Sequence, residues 1–238
     1  MKTLKSLIPN LITSLNLCFG AAAIVFAFAR QPETAFWCII IAAGCDFADG
    51  FSARLLNAYS EFGKQLDSLS DLISFGVAPA ALVFVYFTDT ADNGFPSWIA
   101  FNAFTVALFS AYRLARFNIS PPSSDFRGLA VPASALYLIS LICFGAGLPK
   151  PISEVVLSAP AVHIQVLIIN LLMISSIPMF SLKFKNFNFT ENLIRFIFLS
   201  VGVVLIAIFG IPGIWFVMVF YIILSLATAI YHSKKIQL

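Results

Sequence analysis

Residues 46–71 read DFADGFSARLLNAYSEFGKQLDSLSD, a polar stretch set between largely apolar runs at 34–45 and 72–88. Asp46 and Asp49 are i,i+3 and Asp67 and Asp71 are i,i+4, so at about 100° per residue each pair falls on one face of a helix. Between the pairs, Arg54, Asn57, Ala58, Tyr59, Ser60, Glu61 and Gly63 are polar or small enough to reverse the chain. The stretch therefore predicts two helix ends facing each other, each bringing two carboxylates to a common point. Ionised carboxylates are costly in apolar surroundings unless a cation neutralises them. Hard oxygen ligands with few basic neighbours suit one or two Mg2+ or Mn2+ ions. The competing reading is a solvated loop in which the carboxylates pair with Arg54, Lys64 and helix N-termini. Four carboxylates with two small residues and one Arg at this spacing weigh against it.

The rest of the chain supplies the environment. With 60% hydrophobic and 11% charged residues and a mean hydropathy of +0.96, it has too few polar residues to cover an ordinary water-facing surface. Apolar runs of spanning length, bounded by Pro, Gly or charge, fall at 11–29, 34–56, 64–88, 97–117, 128–148, 161–181, 192–210 and 212–232. They predict an all-α polytopic membrane bundle of about eight transmembrane helices, organised as a single integral domain over 1–238. Only Gly210, Ile211, Pro212 and Gly213 separate the last two runs, so six or seven spans are also compatible with the pattern. The runs are continuous and do not alternate, which excludes a barrel.

Basic residues are distributed unevenly across these spans. With the N-terminus in the cytoplasm, Lys2, Lys5, Arg54, Lys64, Arg113, Arg116, Arg127, Lys183, Lys185, Arg195, Lys234 and Lys235 share one side, and Arg30 and Lys150 the other, accounting for all 14 Lys and Arg. The positive-inside rule then puts both termini and the carboxylate cluster on the cytoplasmic side of the cell membrane. Anionic lipid or nucleotide is drawn to that side. Cys18, Cys38, Cys45 and Cys143 lie in apolar segments without a Cys-x-x-Cys pair and read as small buried hydrophobes. His163 and His232 read as interfacial polar residues, and the first apolar run lacks a clear cleavage site for a signal peptide.

Gly50 and Ala53 follow the first carboxylate pair on the same helix and leave room for a flat group such as a nucleobase. Arg54, one turn beyond Gly50, can reach phosphate oxygens with its planar fork of donors. A divalent ion between acidic side chains and a diphosphate can neutralise charge developing on a leaving phosphate.

The string Asp46-x2-Asp49-Gly50-x2-Ala53-Arg54-x8-Gly63-x3-Asp67-x3-Asp71 resembles the signature of the CDP-alcohol phosphatidyltransferases at every defining position. The resemblance implies transfer of a phosphatidyl group from a CDP-linked lipid to an alcohol, with release of CMP and two divalent ions, Mg2+ or Mn2+. It further implies that Asp46, Asp49, Asp67 and Asp71 are metal ligands and that Asp71 is also the general base. Gly50, Ala53, Arg54 and Gly63 would shape the nucleotide and diphosphate site. Features outside the signature, at Ile8 to Gly20, Ser74 to Pro79, Arg113 to Asn118, Phe126 to Pro132 and Leu172 to Lys183, are similar to the bacterial-type phosphatidylserine synthases of that family. Ala130 stands where a second proline is often found, and Ser176 where a basic residue is common. Both departures bear on the acceptor pocket. The implied partners are CDP-diacylglycerol, L-serine and membrane lipid, with a homodimer as the assembly and no nucleic acid.

Arg113, Arg116 and Arg127, with Lys183 beyond them, could converge on an anionic acceptor such as the carboxylate of serine or the phosphate of glycerol phosphate or inositol phosphate. Equally, Arg at the cytoplasmic ends of spans serves topology and snorkels to headgroups. Asn10 and Thr13, i,i+3 on the first span, could bond a cytosine edge, with helix capping around Pro9 and Asn10 as the alternative. A divalent-cation transporter is the reading from outside the enzyme class, and it predicts acidic residues spread through the membrane depth and between repeats. Here they sit at one face.

Overall fold

In the computed structural model, residues 2–90, 97–120, 127–180 and 192–236 are described, and they form an all-α bundle. α1 (Lys2–Phe28) and α2 (Pro32–Leu55) form a hairpin. Their turn has Arg30 in the left-handed region at φ 57. The Arg30 N–H bonds the Ala27 carbonyl and the Gln31 N–H the Phe26 carbonyl, which is a Schellman close that satisfies the last carbonyls of α1. Buried Ala23, Ala27, Ala35 and Ala42 let the two helices approach closely.

α3 (Glu61–Asp71) passes without a break through a π-helical segment, Leu72–Val77, into α4 (Ala78–Asp89). The wide turn is explicit: the Ala78 N–H reaches back five residues to the Ile73 carbonyl. It falls where Pro79 would otherwise press its ring on the carbonyl four residues earlier, so the extra residue accommodates the proline. The resulting span, Glu61–Asp89, is the most enclosed in the bundle. Its Ala78, Ala80, Ala81, Leu82 and Val83 share the core with Ala135, Leu138, Ile139 and Leu141 of α6 (Val131–Phe144). α5 (Thr105–Ile119) is preceded by 3-10 turns from Ser97.

α7 (Lys150–Val156) and α8 (Ala159–Ile174) meet at a 70° bend. α9 (Leu193–Phe209) and α10 (Gly213–Ile236) fold back on each other around Gly210 and Pro212, with Phe198 against Phe220 and Phe209 against Phe216. The last two apolar runs are thus two helices and not one kinked span. Large apolar side chains such as Val25, Phe101, Leu108, Leu167, Val203 and Ile223 cover the outside, as lipid contact requires.

The protein is a polytopic membrane bundle, as expected, with fewer helices of full spanning length than the eight apolar runs. Among the described residues, five helices are long and apolar enough to cross a bilayer, or six counting the bent α7–α8 pair. Val131–Gly147 and Leu193–Phe209 are shorter apolar helices. The run expected at 161–181 ends as helix at Ile174, because Arg127 and Pro178 pair as extended backbone beyond it. Helix capping near Pro9 and Asn10 is also overturned, since α1 begins at Lys2 and carries both inside it.

Candidate active site

The turn after α2 is a second Schellman close. Asn57 sits at φ 49, its N–H bonds the Arg54 carbonyl, and the Ala58 N–H bonds the Ala53 carbonyl. Ser60 then caps α3 by accepting from the Gly63 N–H at 2.9 Å. Two local signals therefore reverse the chain and bring the acidic faces of α2 and α3 together. Oxygens of Asp46, Asp49 and Asp67 lie within 4.8 Å of one another. Asp71 stands outside this trio, with its carboxylate against that of Asp46 and its Oδ1 accepting from Asn16 Nδ2 at 3.2 Å.

α1 completes the site. The Thr13 hydroxyl lies 2.5 Å from Asp49 Oδ2 and 2.9 Å from the Pro9 carbonyl. It has one proton, and the carboxylate is the stronger acceptor. Among the described residues no basic side chain pairs with the four aspartates, and the ion pair present is Arg30 with Asp89, elsewhere in the bundle. The two cations within the signature are turned to carbonyls, Arg54 Nε to Gly50 at 2.9 Å and Lys64 Nζ to Asn118 at 2.9 Å. Asp67 Oδ1 is buried without a hydrogen-bond partner. A buried carboxylate oxygen with no donor, beside two more carboxylates and no counter-ion, is the coordination set a hard divalent cation requires. The residues present therefore fit such an ion.

Beside the trio lies a cavity of about 510 Å3. α1 lines it with Pro9 and Thr13, α2 with Asp49, Gly50 and Ala53, and α3 and its preceding turn with Ala58 to Glu61, Gly63, Lys64 and Asp67. Thr13, Gly50, Ala53 and Gly63, four of the residues expected to shape a nucleotide site, line this one cavity. A Cβ on Gly50 would meet nothing within 4 Å, whereas one on Gly63 would stand 3.0 Å from Ser60 Oγ and 3.1 Å from Asn10 Oδ1. A Cβ at Gly63 would be tight against the Ser60 cap and the Asn10 side chain behind it, while the protein itself leaves open space at Gly50. Arg54 is not in the cavity wall.

The residues expected at the acceptor site behave differently. Arg113 Nη1 donates to the Met173 carbonyl at 2.9 Å and the Arg127 carbonyl at 3.1 Å, and Arg116 Nη1 to the Ile174 carbonyl at 3.4 Å. Met173 and Ile174 end α8, where carbonyls lack helical partners and carry partial negative charge. Arg113 and Arg116 do converge, but on backbone. Gly128, at φ 72, is what admits this packing, since a Cβ there would lie 2.6 Å from the Met173 carbonyl oxygen. Arg127 is exposed, and Lys183 lies outside the described residues. Asn16 and Ser74 fall in segments whose sequence resembles the phosphatidylserine synthases but carries no assigned site role, and the structure joins both to the site. The available signal is the polar and small stripe Thr13, Asn16 and Gly20 at helical spacing along an apolar helix.

Comparison with known proteins bears on this geometry. A family model described as CDP-alcohol phosphatidyltransferase matches residues 6–168. A relative in Helicobacter pylori is 39% identical over 136 residues, 56% of each chain. One in Mycobacterium leprae is 37% identical over 153 residues, 59% of this chain and 49% of the other. One in Methanocaldococcus jannaschii is 34% identical over 229 residues, 96% of this chain and 93% of the other. Each of the three is a CDP-diacylglycerol–serine O-phosphatidyltransferase. The chain spans about half the length of the first two and nearly all of the third.

Proposed function

This chain belongs to the CDP-alcohol phosphatidyltransferase family, and from that premise we propose that it transfers the phosphatidyl group of CDP-diacylglycerol to L-serine, giving phosphatidylserine and CMP. The observation that carries the reading is the carboxylate trio of Asp46, Asp49 and Asp67 beside a cavity walled by Thr13, Gly50, Ala53 and Gly63. Serine as acceptor is supported by the activity for which the relatives are named.

Asp46, Asp49 and Asp67, with Asp71 beside them, would hold one or two Mg2+ or Mn2+ ions, which when bound neutralise the diphosphate and the charge that develops on the leaving CMP. The cavity takes the cytidine, and Gly50 leaves a face on which a flat ring can lie. Arg54, tied by Nε to the Gly50 carbonyl, keeps its terminal amino groups for phosphate oxygens. Asp71 accepts the proton of the serine hydroxyl as that oxygen bonds to the lipid-side phosphorus. The bond from this phosphorus to the bridging oxygen breaks, and that oxygen leaves with CMP. The lipid tails stay between spans throughout, so the reacting groups are held near one another.

The reading includes a cytoplasmic site and cytoplasmic termini in the cell membrane, on the distribution of basic residues, and a homodimer, on the family resemblance. The test is the purified protein with CDP-diacylglycerol and Mn2+, offered serine, glycerol phosphate or inositol phosphate in parallel. CMP and phosphatidylserine formed with serine alone are expected. Turnover confined to a phosphorylated acceptor would overturn the choice of serine, and metal uptake into vesicles without any turnover would overturn the enzyme reading.

A further inference from the structure

We propose that Asn16 is a positioning residue for the reaction, holding the Asp71 carboxylate in the orientation from which it takes the acceptor's proton. The inference rests on the reading of the site above and adds to it a residue outside the aspartate signature. Asn16 lies on α1 within the apolar span Ser6–Phe28 and is wholly buried, at 0% exposure. Its Nδ2 donates to Asp71 Oδ1 at 3.2 Å, and its Oδ1 is buried with no hydrogen-bond partner. The opposite amide orientation would set oxygen against oxygen, so the donor end faces the carboxylate. An orphaned buried carbonyl is destabilising, because it loses its water without gaining a donor. A residue serving packing alone would avoid that cost, because leucine fills a similar volume without a polar atom.

The backbone of Asn16 is tied to the same place. Its carbonyl accepts from Ser74 Oγ at 2.9 Å, and Ser74 belongs to the π segment that begins directly after Asp71. Gly20, one turn further along α1, admits this approach, since a Cβ there would lie 2.7 Å from Ser74 Cα. A π turn inserts one residue and so rotates the helix on its N-terminal side by about 100° relative to the helix on its C-terminal side. The direction in which Asp71 points therefore depends on how that turn is seated. Asn16 fixes the seat through its carbonyl and the carboxylate through its amide.

The test uses the full chain in CDP-diacylglycerol vesicles, with Asn16→Ala and Ser74→Ala. CMP release at varied serine gives kcat and KM, and Mn2+ electron paramagnetic resonance without lipid substrate reports ion binding. Asn16→Ala is expected to lower kcat roughly 10- to 100-fold, the usual effect of losing a partner that orients a ligand. KM for serine and binding of a first Mn2+ at Asp46, Asp49 and Asp67 stay unchanged. Ser74→Ala moves kcat the same way by less. An unchanged kcat overturns the inference, and so does a kcat that falls only together with Mn2+ binding and melting temperature, which is the mark of a structural role. If Asn16→Ala does not fold, Ser74→Ala decides by the same readouts. The unaltered protein is assayed first, and its failure to release CMP would overturn the proposed activity and not merely the role of Asn16.

Discussion

Gly50→Ala separates the folding of the site from its use. Gly50 lies inside α2 in ordinary helical geometry, and a Cβ there meets no atom within 4 Å. For the protein alone the change is therefore favourable: alanine in a helix interior is better than glycine by about 0.8–1 kcal/mol. For a chain of this size that raises the melting temperature by about 2–4 °C. For a nucleotide bound as proposed it is unfavourable, because the methyl is added at the wall of the 510 Å3 cavity that Gly50 lines. Forcing one extra carbon into a well-packed contact costs about 1–3 kcal/mol, a fall of about 5- to 150-fold in kcat/KM. Thermal melting and CMP-release kinetics on one preparation read both signs. Gly128→Ala is the control, since its Cβ would collide with the Met173 carbonyl at 2.6 Å and must lower the melting temperature. Full activity in Gly50→Ala would refute the packing of the nucleotide on this glycine. A lowered melting temperature would refute the open space above it.

Other perturbations probe the remaining contacts. Asp67→Asn removes one charge of the trio and should cut turnover by about two to three orders of magnitude while leaving the metal-free protein folded, because a neutral amide both weakens the ligand set and relieves repulsion; circular dichroism and CMP release check it. Chelation by EDTA should abolish activity and lower the melting temperature, with Mn2+ restoring both, the bound ion contributing about 2.7 kcal/mol at 100 times its Kd. Arg113→Ala should lower stability by about 1–3 kcal/mol, since it strips donors from the Met173 and Arg127 carbonyls. An effect on KM for serine at unchanged stability would instead make Arg113 an acceptor-binding group.

The four aspartates were legible because helical spacing is a local property: three and four residues put each pair on one face whatever the surroundings. The reversal between the pairs was legible for the same reason, since Asn57 and Ser60 close one helix and cap the next within a few residues. The π segment was legible only in part: Pro79 demands some adjustment of the helix before it, but that the adjustment is a wide turn seated by Ser74 against Gly20 and Asn16, more than fifty residues away, is a tertiary matter. The arginines mark the intermediate case. Their charge announced an anionic partner, but the negative ends they met were the last carbonyls of α8, which only the tertiary fold could supply. The bend between α7 and α8 falls among Pro149, Pro151 and Pro160, which bound the apolar runs expected at 128–148 and 161–181, but that the residues between them form a helix of their own was not legible.

The span Glu61–Asp89 carries Asp67 and Asp71 near one end and, at the other, Asp89 bound to Arg30. Its 29 residues make a rod about 43 Å long, anchored at both ends and enclosed along its middle. Arg30 sits in the turn between α1 and α2, so this rod is tied at its far end to the same hairpin whose carboxylates it meets at the near one, and that packing sets its tilt in the bilayer.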